Sequence, residues 1–287
     1  MNIERKKEES GMFTNRRIRI LSRVLTVLLC LVVVYPLFFT ILVSFKNNQE
    51  FYSNIWGLPQ IWRGENYSYA WIEGKIGQYA ANSVIVTLTA VAGSVLITAF
   101  GGYALSKMKI PKANLILSAF MVFNFVPGVA YYIPLYSQMI GLHLNGTLFM
   151  LILPYLAWQI PFSVYIFKNF FDSIPSELTE AARMDGAAEL SVFFQIMLPL
   201  VTPALATVTV FNFINIWGEY MWASISATSS AKIQTIPVGL LYFRGEYGIE
   251  WGPFAAAITI IVVPLIAVFI YFQKYFVQGI TSGAVKG

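Results

Sequence analysis

The sequence predicts an all-α membrane protein with six transmembrane helices and with both termini in the cytoplasm. Of its 287 residues, 57% are hydrophobic and 11% are charged, whereas about 25% are charged in an average soluble domain. Uncharged runs of about 20 residues recur along the chain, and each is long enough to cross a bilayer as a helix. They do not alternate apolar and polar residues, as the strands of a transmembrane β-barrel do. Helices are expected because lipid leaves no partner for an unpaired backbone group.

The first apolar run follows a basic segment, RRIRILSR at 16–23. A signal peptide also begins with basic residues, but its apolar region is shorter and ends at a small-residue cleavage site that is missing here. The stretch 113–167 has no acid, Lys or Arg, and the turn residues HLNG at 143–146 divide it into two spans. The predicted spans cover about residues 24–45, 80–105, 113–135, 147–167, 200–222 and 253–272. Residues 1–15 are predicted to be a cytoplasmic tail, and residues 16–287 a single transmembrane domain.

Lysine and arginine residues divide unequally between the two sides of this topology. With the N-terminus inside, fourteen of the 19 lie in cytoplasmic segments and five lie outside. This excess agrees with the concentration of positive charge in the cytoplasmic loops of membrane proteins. The net charge of +5 is explained by the topology and gives no reason to expect a nucleic-acid partner.

The predicted cytoplasmic loop, residues 168–199, holds a dense polar cluster between two apolar spans. Ser176 is placed to cap a short helix, and Gly186 is placed to end it in a left-handed conformation. A second helical stretch is expected to follow. Its predicted apolar face consists of Leu190, Phe193, Phe194 and Met197.

The composition of this loop bears on what it contacts. It carries five carboxylate residues against two basic ones. A connector lying on the membrane surface is one interpretation, but such helices usually carry lysine and arginine to meet anionic lipid. Acids mixed with small residues suit docking into a basic groove of a soluble partner better. The small residues are Ala181, Ala182, Gly186, Ala187 and Ala188.

The spacing within this loop resembles a known family. The sequence Glu180-Ala181-Ala182 is followed after three residues by Gly186, and after nine more by Ile-x-Leu-Pro at 196–199. This pattern is similar to the cytoplasmic EAA loop of permease subunits in ATP-binding-cassette (ABC) importers. Three other segments resemble the carbohydrate importers of the maltose-type group. They are IPVGLLYF at 236–243, WGPFAAA at 251–257 and QGITSGAVKG at 278–287.

The resemblance implies a type I ABC importer permease fold and a division of labour between subunits. The EAA loop would be the coupling helix that docks on a separate ATPase dimer, so that the partner uses the ATP and this chain holds no cofactor or metal. Consistently, the chain has no G-x-x-x-x-G-K-[ST] phosphate loop, and no catalytic residue is expected. The implied docking residues are Glu180, Ala181, Ala182, Arg183, Asp185 and Gly186.

The resemblance also implies further partners, a cargo and a location. A second, related permease would complete a heterodimer, and an extracytoplasmic sugar-binding protein would deliver a sugar or oligosaccharide. The outer segment 223–252 would contact that binding protein. The assembly would lie in the cytoplasmic membrane of a bacterium or an archaeon.

The interiors of the predicted spans carry no charged residue, which argues against a carrier driven by protons or sodium. Glu219, near the outer end of the fifth span, is interpreted as interfacial or as facing the translocation cavity. A neutral sugar is held by amide groups and aromatic faces, although the same groups also join transmembrane helices. The candidate residues of the substrate path are Asn124, Asn212, Asn215, Trp217 and Glu219.

Other functions stay open at this level. The EAA pattern does not report the substrate, so an importer for a polyol, glycerol phosphate, amino acid or similar solute is the main alternative. A secondary carrier or channel is disfavoured by the absence of charge within the spans. A membrane-embedded enzyme is weaker still, because no metal-binding cluster or nucleophile–base pair appears there.

Overall fold

The computed structural model describes the backbone of residues 16–245 and 248–284, and the side chains of residues 18–245 and 248–274. The predicted tail, residues 1–15, lies outside the described residues. The first helices are α1 (Arg16–Val43), α2 (Asn48–Ser53), α3 (Glu65–Ile72), α4 (Ile76–Lys107), α5 (Ala113–Phe123), α6 (Gly128–Gly141) and α7 (Phe149–Asp172). Then come α8 (Glu177–Met184), α9 (Glu189–Leu200), α10 (Thr202–Trp217), α11 (Met221–Ala227), α12 (Ile236–Gly239) and α13 (Trp251–Ala284). The predicted all-α class is confirmed.

Short elements join α11 to α13. Two 3-10 turns cover Ala231–Ile233 and Leu240–Phe243. They are followed by an antiparallel hairpin of β1 (Arg244–Gly245) and β2 (Gly248–Ile249), in which Arg244 pairs with Ile249.

Four of the described helices are each long and apolar enough to cross a membrane: α1, α4, α7 and α13. Two further candidates are bent pairs, α5 with α6 and α9 with α10. Counting each pair as one span gives up to six spans in the described part of the chain.

The predicted third span, residues 113–135, is not one continuous helix. α5 ends at Phe123, α6 begins at Gly128, and the two axes differ by 94°. Pro127 lies at the break with an extended ψ of 131°. A proline has no backbone N–H and disfavours helical dihedral angles in the residue before it. Hydropathy alone does not report such a bend.

The other helix ends also differ from the predicted span limits. α7 continues to Asp172, within the segment predicted as loop. Within the predicted fifth span, 200–222, α10 ends at Trp217 and a separate helix begins at Met221. Some helices are therefore longer than the apolar run that predicted them, because helical hydrogen bonding continues into polar sequence. One apolar run is divided between two helices, because a turn interrupts the hydrogen bonding.

The chain divides into two compact units, of which the larger comprises residues 71–242 and 260–287. Its interior is built on α4 and α7, which approach closely at Gly102. A Cβ atom at Gly102 would lie 2.5 Å from the Cβ of Phe167, so only glycine permits this contact. Small residues bring transmembrane helices together in this way.

Of the described residues, the smaller unit comprises 16–70, 243–245 and 248–259, and a buried lysine organises it. Lys46 is 0% exposed. Its Nζ donates hydrogen bonds to the carbonyl oxygens of Asn54 at 2.7 Å, Ile55 at 3.1 Å and Gly57 at 2.7 Å. The segment after α2 therefore wraps around one ammonium group, whose three donors satisfy three backbone acceptors.

Candidate functional site

The predicted docking helix is α8, and Gly186 closes it. Gly186 has φ of +81°. Its N–H donates to the Arg183 carbonyl at 3.1 Å, and the Ala187 N–H donates to the Ala182 carbonyl at 3.0 Å. This pair of bonds is the Schellman arrangement, in which a left-handed residue ends a helix. The prediction of a left-handed Gly186 is confirmed.

The beginning of α8 differs from the prediction. Ser176 has helical dihedral angles, φ −70° and ψ −21°, and its side chain makes no capping hydrogen bond. Its carbonyl accepts hydrogen bonds from the N–H and the hydroxyl of Thr179. The N-cap prediction for Ser176 is wrong, because a capping side chain requires extended dihedral angles at that residue.

The six predicted docking residues do not all point outward. Glu180, Ala181, Arg183, Asp185 and Gly186 are exposed. Ala182 is only 8% exposed and belongs to the hydrophobic core beneath the loop. Its methyl group is already packed within the chain, so its part in docking stays a prediction. Met184, which was not among the predicted residues, is 87% exposed on the same helix. A methionine in a membrane protein gives no sign of which way it faces.

A single hydrophobic core lies under the docking loop. It joins residues of α4, α7, α8, α9 and α10, so the loop is not a loose connector. Burial of this apolar surface fixes the position of α8 relative to the membrane helices. The buried members are Ala99, Tyr103, Phe167, Phe171, Ala182, Val192, Phe193, Met197, Val201, Ala204 and Val208.

The apolar face predicted for the second helical stretch is only half correct. Phe193 and Met197 are buried, whereas Leu190 and Phe194 are exposed. The cause is a π-helical turn over Val192–Met197 within α9. A π-helix repeats at i→i+5 instead of i→i+4, so Val192 and Met197 share the buried side.

Arg183 is held by an ion pair inside the chain. Its Nη2 lies 2.8 Å from Glu189 Oε1, and its Nε donates to Glu189 Oε2 at 3.0 Å. The Tyr103 hydroxyl donates to Glu189 Oε1 as well. The hydrogen bond to Glu189 raises the pKa of Arg183 further above its ordinary range. The guanidinium therefore stays charged and in a fixed orientation.

Two more polar contacts join the end of α4 to the start of the loop. Ser106 Oγ donates to Asp172 Oδ1 at 2.6 Å, and Lys107 Nζ donates to the Ile174 carbonyl at 2.5 Å. Lys168 Nζ forms an ion pair with Asp172 Oδ2 at 2.7 Å. The C-terminal end of α4 is thus bonded to the segments on both sides of α8.

The five predicted residues of the substrate path do not form one site. Asn212 is 0% exposed; its Nδ2 donates to Ser94 Oγ at 2.9 Å, and its Oδ1 accepts from Ser163 Oγ at 3.2 Å. It therefore joins three helices, which is the alternative role of an intramembrane amide. Trp217 is also buried, with its Nε1 bonded to the Ile261 carbonyl at 3.1 Å. In this structure both side chains join helices, and their part in the substrate path stays a prediction.

The other three predicted residues are distributed differently. Asn215 is exposed on α10. Glu219 lies between α10 and α11 and accepts a hydrogen bond from Tyr155 at 2.5 Å, as well as two from backbone N–H groups of α11. Asn124, in the break between α5 and α6, lines a cavity.

This cavity of about 600 Å³ is partly open to the surface of the chain. Its lining residues are mainly aromatic and aliphatic, and those with polar atoms in their side chains are Asn124, Tyr131 and Trp158. The lining residues are Phe120, Phe123, Asn124, Val126, Tyr131, Ala157, Trp158, Ile160 and Pro161.

Trp158 is the centre of an aromatic cluster at the wall of this cavity. Its ring centroid lies 5.9 Å from that of Tyr131, 6.0 Å from Tyr132, 5.6 Å from Tyr155 and 6.1 Å from Trp222. These neighbours fix the plane of the indole, so the cavity presents a preformed aromatic surface. Sequence reasoning did not select Trp158, because nothing in the local pattern separates it from other aromatics in the spans.

Comparison with known proteins gives a family match and several relatives. Residues 97–282 match the family described as "Binding-protein-dependent transport system inner membrane component". The probable ABC transporter permease protein YurM of Bacillus subtilis is 38% identical over 255 residues, which is 89% of this chain and 84% of that protein. The diacetylchitobiose uptake system permease protein NgcG of Streptomyces coelicolor is 32% identical over 275 residues, covering 95% and 91%.

Solved structures include a similar fold. A chain of a bacterial ABC transporter involved in the import of the acidic polysaccharide alginate superposes with a TM-score of 0.76 at 26% identity. The match covers 92% of this chain and 98% of that chain.

Proposed function

Because this chain belongs to the family of binding-protein-dependent transport system inner membrane components and is a permease subunit of an ABC importer, we propose that it imports a sugar or oligosaccharide. It is a multi-pass membrane protein with the type I importer permease fold, and it is a transport subunit and not an enzyme. The observation that most supports a carbohydrate cargo is the aromatic cavity around Trp158, together with relatives named for diacetylchitobiose and alginate.

The cavity has the chemistry that a sugar requires. Sugar rings present C–H groups on their faces and hydroxyl groups around their edges. The indole face of Trp158 can stack on the ring, while the Asn124 amide and the Tyr131 hydroxyl can exchange hydrogen bonds with the edge. The substrate path therefore runs past Asn124, Tyr131 and Trp158, and the buried Asn212 and Trp217 act as supports for the helices around it.

The docking site for the ATPase is the exposed surface of α8 and its end. Glu180, Ala181, Asp185 and Gly186 offer two carboxylates and two small residues, and the exposed Met184 adds an apolar side chain between them. Such a surface fits a basic groove with an apolar floor. ATP is bound and hydrolysed by that partner, and this chain contributes no cofactor.

The working assembly contains four kinds of component. This chain and a second, related permease form a heterodimer, an ATPase dimer docks on the cytoplasmic side, and a binding protein delivers the sugar to the outer segment 223–252. The assembly lies in the cytoplasmic membrane of a bacterium or an archaeon.

Purification of the chain from its native membrane tests this function. The complex is reconstituted in liposomes with its binding protein, and ATP-driven uptake is measured for a panel of mono- and oligosaccharides, polyols, glycerol phosphate and amino acids. We expect co-purification of an ATPase and of a second permease, and uptake of a saccharide only. Uptake of a polyol, glycerol phosphate or an amino acid instead would overturn the assignment of a carbohydrate cargo.

A further inference from the structure

Glu189 lies at the junction between the docking helix and the membrane helices. It falls within the nine-residue gap that follows Gly186, so the EAA spacing places no demand on its identity. Its carboxylate nevertheless contacts two other elements: Arg183 of α8 through both oxygens, and Tyr103 of α4 through Oε1. No other ion pair among the described residues links α8 to the rest of the chain.

The contact at Arg183 is geometrically restrictive. The planar guanidinium meets both carboxylate oxygens, at 2.8 Å and 3.0 Å, and such a two-point contact fixes orientation as well as distance. Arg183 follows Ala182, whose methyl group is buried in the core. The core otherwise holds α8 along one edge, through the buried Thr179 and Ala182. The ion pair adds a two-point restraint beyond that edge and so resists rotation of α8 about it.

The contact at Tyr103 is equally fixed. Tyr103 is 3% exposed, and its ring lies 5.6 Å from that of Phe171 and 5.3 Å from that of Phe193. The hydroxyl group is thus held by a ring that cannot turn without disturbing α7 and α9. Nearer the N-terminal end of α4, the Ser94 hydroxyl accepts a hydrogen bond from the amide of Asn212 in α10.

We propose that Glu189 is a positioning residue that transmits the displacement of the docking helix to α4. The inference rests on the proposed docking of the ATPase at α8. When the ATPase moves the exposed side of α8, the Arg183–Glu189–Tyr103 bridge makes α4 follow, and the Ser94–Asn212 bond carries the movement to α10. Without the bridge, α8 rotates against its core contact, and the movement is partly lost before it reaches the membrane.

A role in folding alone does not explain this arrangement. Arg183 and Glu189 remain partly exposed, with 37% and 35% of their side chains accessible. Ion pairs at such positions contribute little to the free energy of folding. Their geometry, in contrast, determines how rigidly two helices are connected.

The test uses the reconstituted transporter with its ATPase, binding protein and sugar. Tyr103→Phe removes one hydroxyl group and keeps the packed ring, while Glu189→Gln keeps an acceptor oxygen and removes the charge. Arg63→Gln is the matched control, because it removes an ion pair of 3.3 Å to Glu65 in the other compact unit. Three quantities are measured: ATPase bound per permease, ATP hydrolysed, and sugar transported per ATP.

We expect both variants to bind the ATPase as the wild type does, and to transport about fivefold less sugar per ATP hydrolysed. The double variant should be no worse than the more severe single one, since both break the same bridge. The control should match the wild type in all three measurements.

Other results would contradict the inference. Unchanged transport per ATP in Tyr103→Phe and Glu189→Gln would overturn the bridge while leaving ATPase docking intact. Loss of ATPase binding in these variants would make Glu189 part of the docking surface instead. Absence of ATPase binding by the wild type would overturn the proposed docking itself, and the bridge with it.

Discussion

The Tyr155 hydroxyl donates a hydrogen bond of 2.5 Å to Glu219 Oε2. The same carboxylate accepts the backbone N–H of Trp222 at 2.8 Å and of Ala223 at 3.0 Å. Glu219 therefore caps the first turn of α11 and fastens it to a buried tyrosine of α7, which explains why one acid is tolerated near the end of an apolar segment. It gives Glu219 a third role besides the interfacial and cavity-facing interpretations.

Replacement of Glu219 by alanine is expected to destabilise the protein without changing its choice of sugar. The Tyr155 hydroxyl and two backbone N–H groups would lose their acceptor, at about 1–3 kcal/mol for each group that stays buried. The thermal midpoint in detergent should fall, and Tyr155→Phe should cause a smaller fall because it leaves the cap in place. Uptake measured with several sugars should decline by the same factor for each, whereas a selective change would identify Glu219 as a substrate contact.

Substitution of Gly186 by valine is expected to abolish ATP-driven uptake while the protein stays in the membrane. A Cβ atom there meets no atom of this chain within 4 Å, but the φ of +81° is unfavourable for a β-branched residue. Gly186→Asn separates strain from contact, because asparagine accepts the left-handed conformation. We expect the asparagine variant to keep its thermal stability and to bind the ATPase about tenfold more weakly.

The control for Gly186 is Gly64→Val, at an exposed glycine that also has open space and an ordinary φ. It should transport normally. Normal uptake by Gly186→Val would count heavily against docking at the end of α8.

Replacement of Trp158 by leucine is expected to raise the KM for sugar uptake. Leucine keeps apolar volume in the wall of the cavity but removes the aromatic face, whose contribution of about 0.5–1.5 kcal/mol corresponds to a several-fold change in KM. Asn124→Ala should act in the same direction by removing a hydrogen-bonding group. Initial uptake rates over a range of sugar concentrations provide the measurement.

Trp62→Leu serves as the control for Trp158, because Trp62 is exposed in the smaller unit and does not line the cavity. Its KM should equal that of the wild type. If both tryptophan variants changed KM alike, or neither did, the cavity would have no special part in sugar binding.

Replacement of Lys46 by methionine is expected to loosen the segment between α2 and α3. The three carbonyl groups bonded to Nζ would lose their donor, and each one that stays buried without a partner costs about 1–3 kcal/mol. Limited proteolysis should cut this segment faster than in the wild type, and the thermal midpoint should fall. Lys109→Met, at an exposed lysine, should change neither quantity.

Much of the architecture was predictable because it depends on properties that each segment carries by itself. Uncharged runs of sufficient length predict membrane helices from local sequence. The left-handed conformation of Gly186 is predictable because glycine has no Cβ atom and is favoured at the end of a helix. The spacing of Glu180, Ala181, Ala182 and Gly186 identified the family before any fold was known. Each of these signals lies within a few turns of one helix.

The roles of individual side chains were not predictable, because they depend on partners that are distant in sequence. The EAA pattern assigns Ala182 and Arg183 the same docking role, yet Ala182 is buried and Arg183 is bound to Glu189. Asn212 and Asn124 both lie in apolar segments. The amide of Asn212 is hydrogen-bonded to two serines from other helices, whereas Asn124 lines a cavity. Local sequence cannot distinguish them, since the distinguishing contacts arise only when the helices pack.

By itself, then, the sequence determined the class, the apolar segments, the family and the position of the polar loop that is predicted to dock. The tertiary structure decided which face of α8 is free, that a π-turn rotates the apolar face of α9, and that Glu219 caps a helix. The physical reason is how far apart in the sequence the interacting residues lie. Hydropathy and turn chemistry act over neighbouring residues, whereas burial and hydrogen bonding between helices depend on how the whole chain packs.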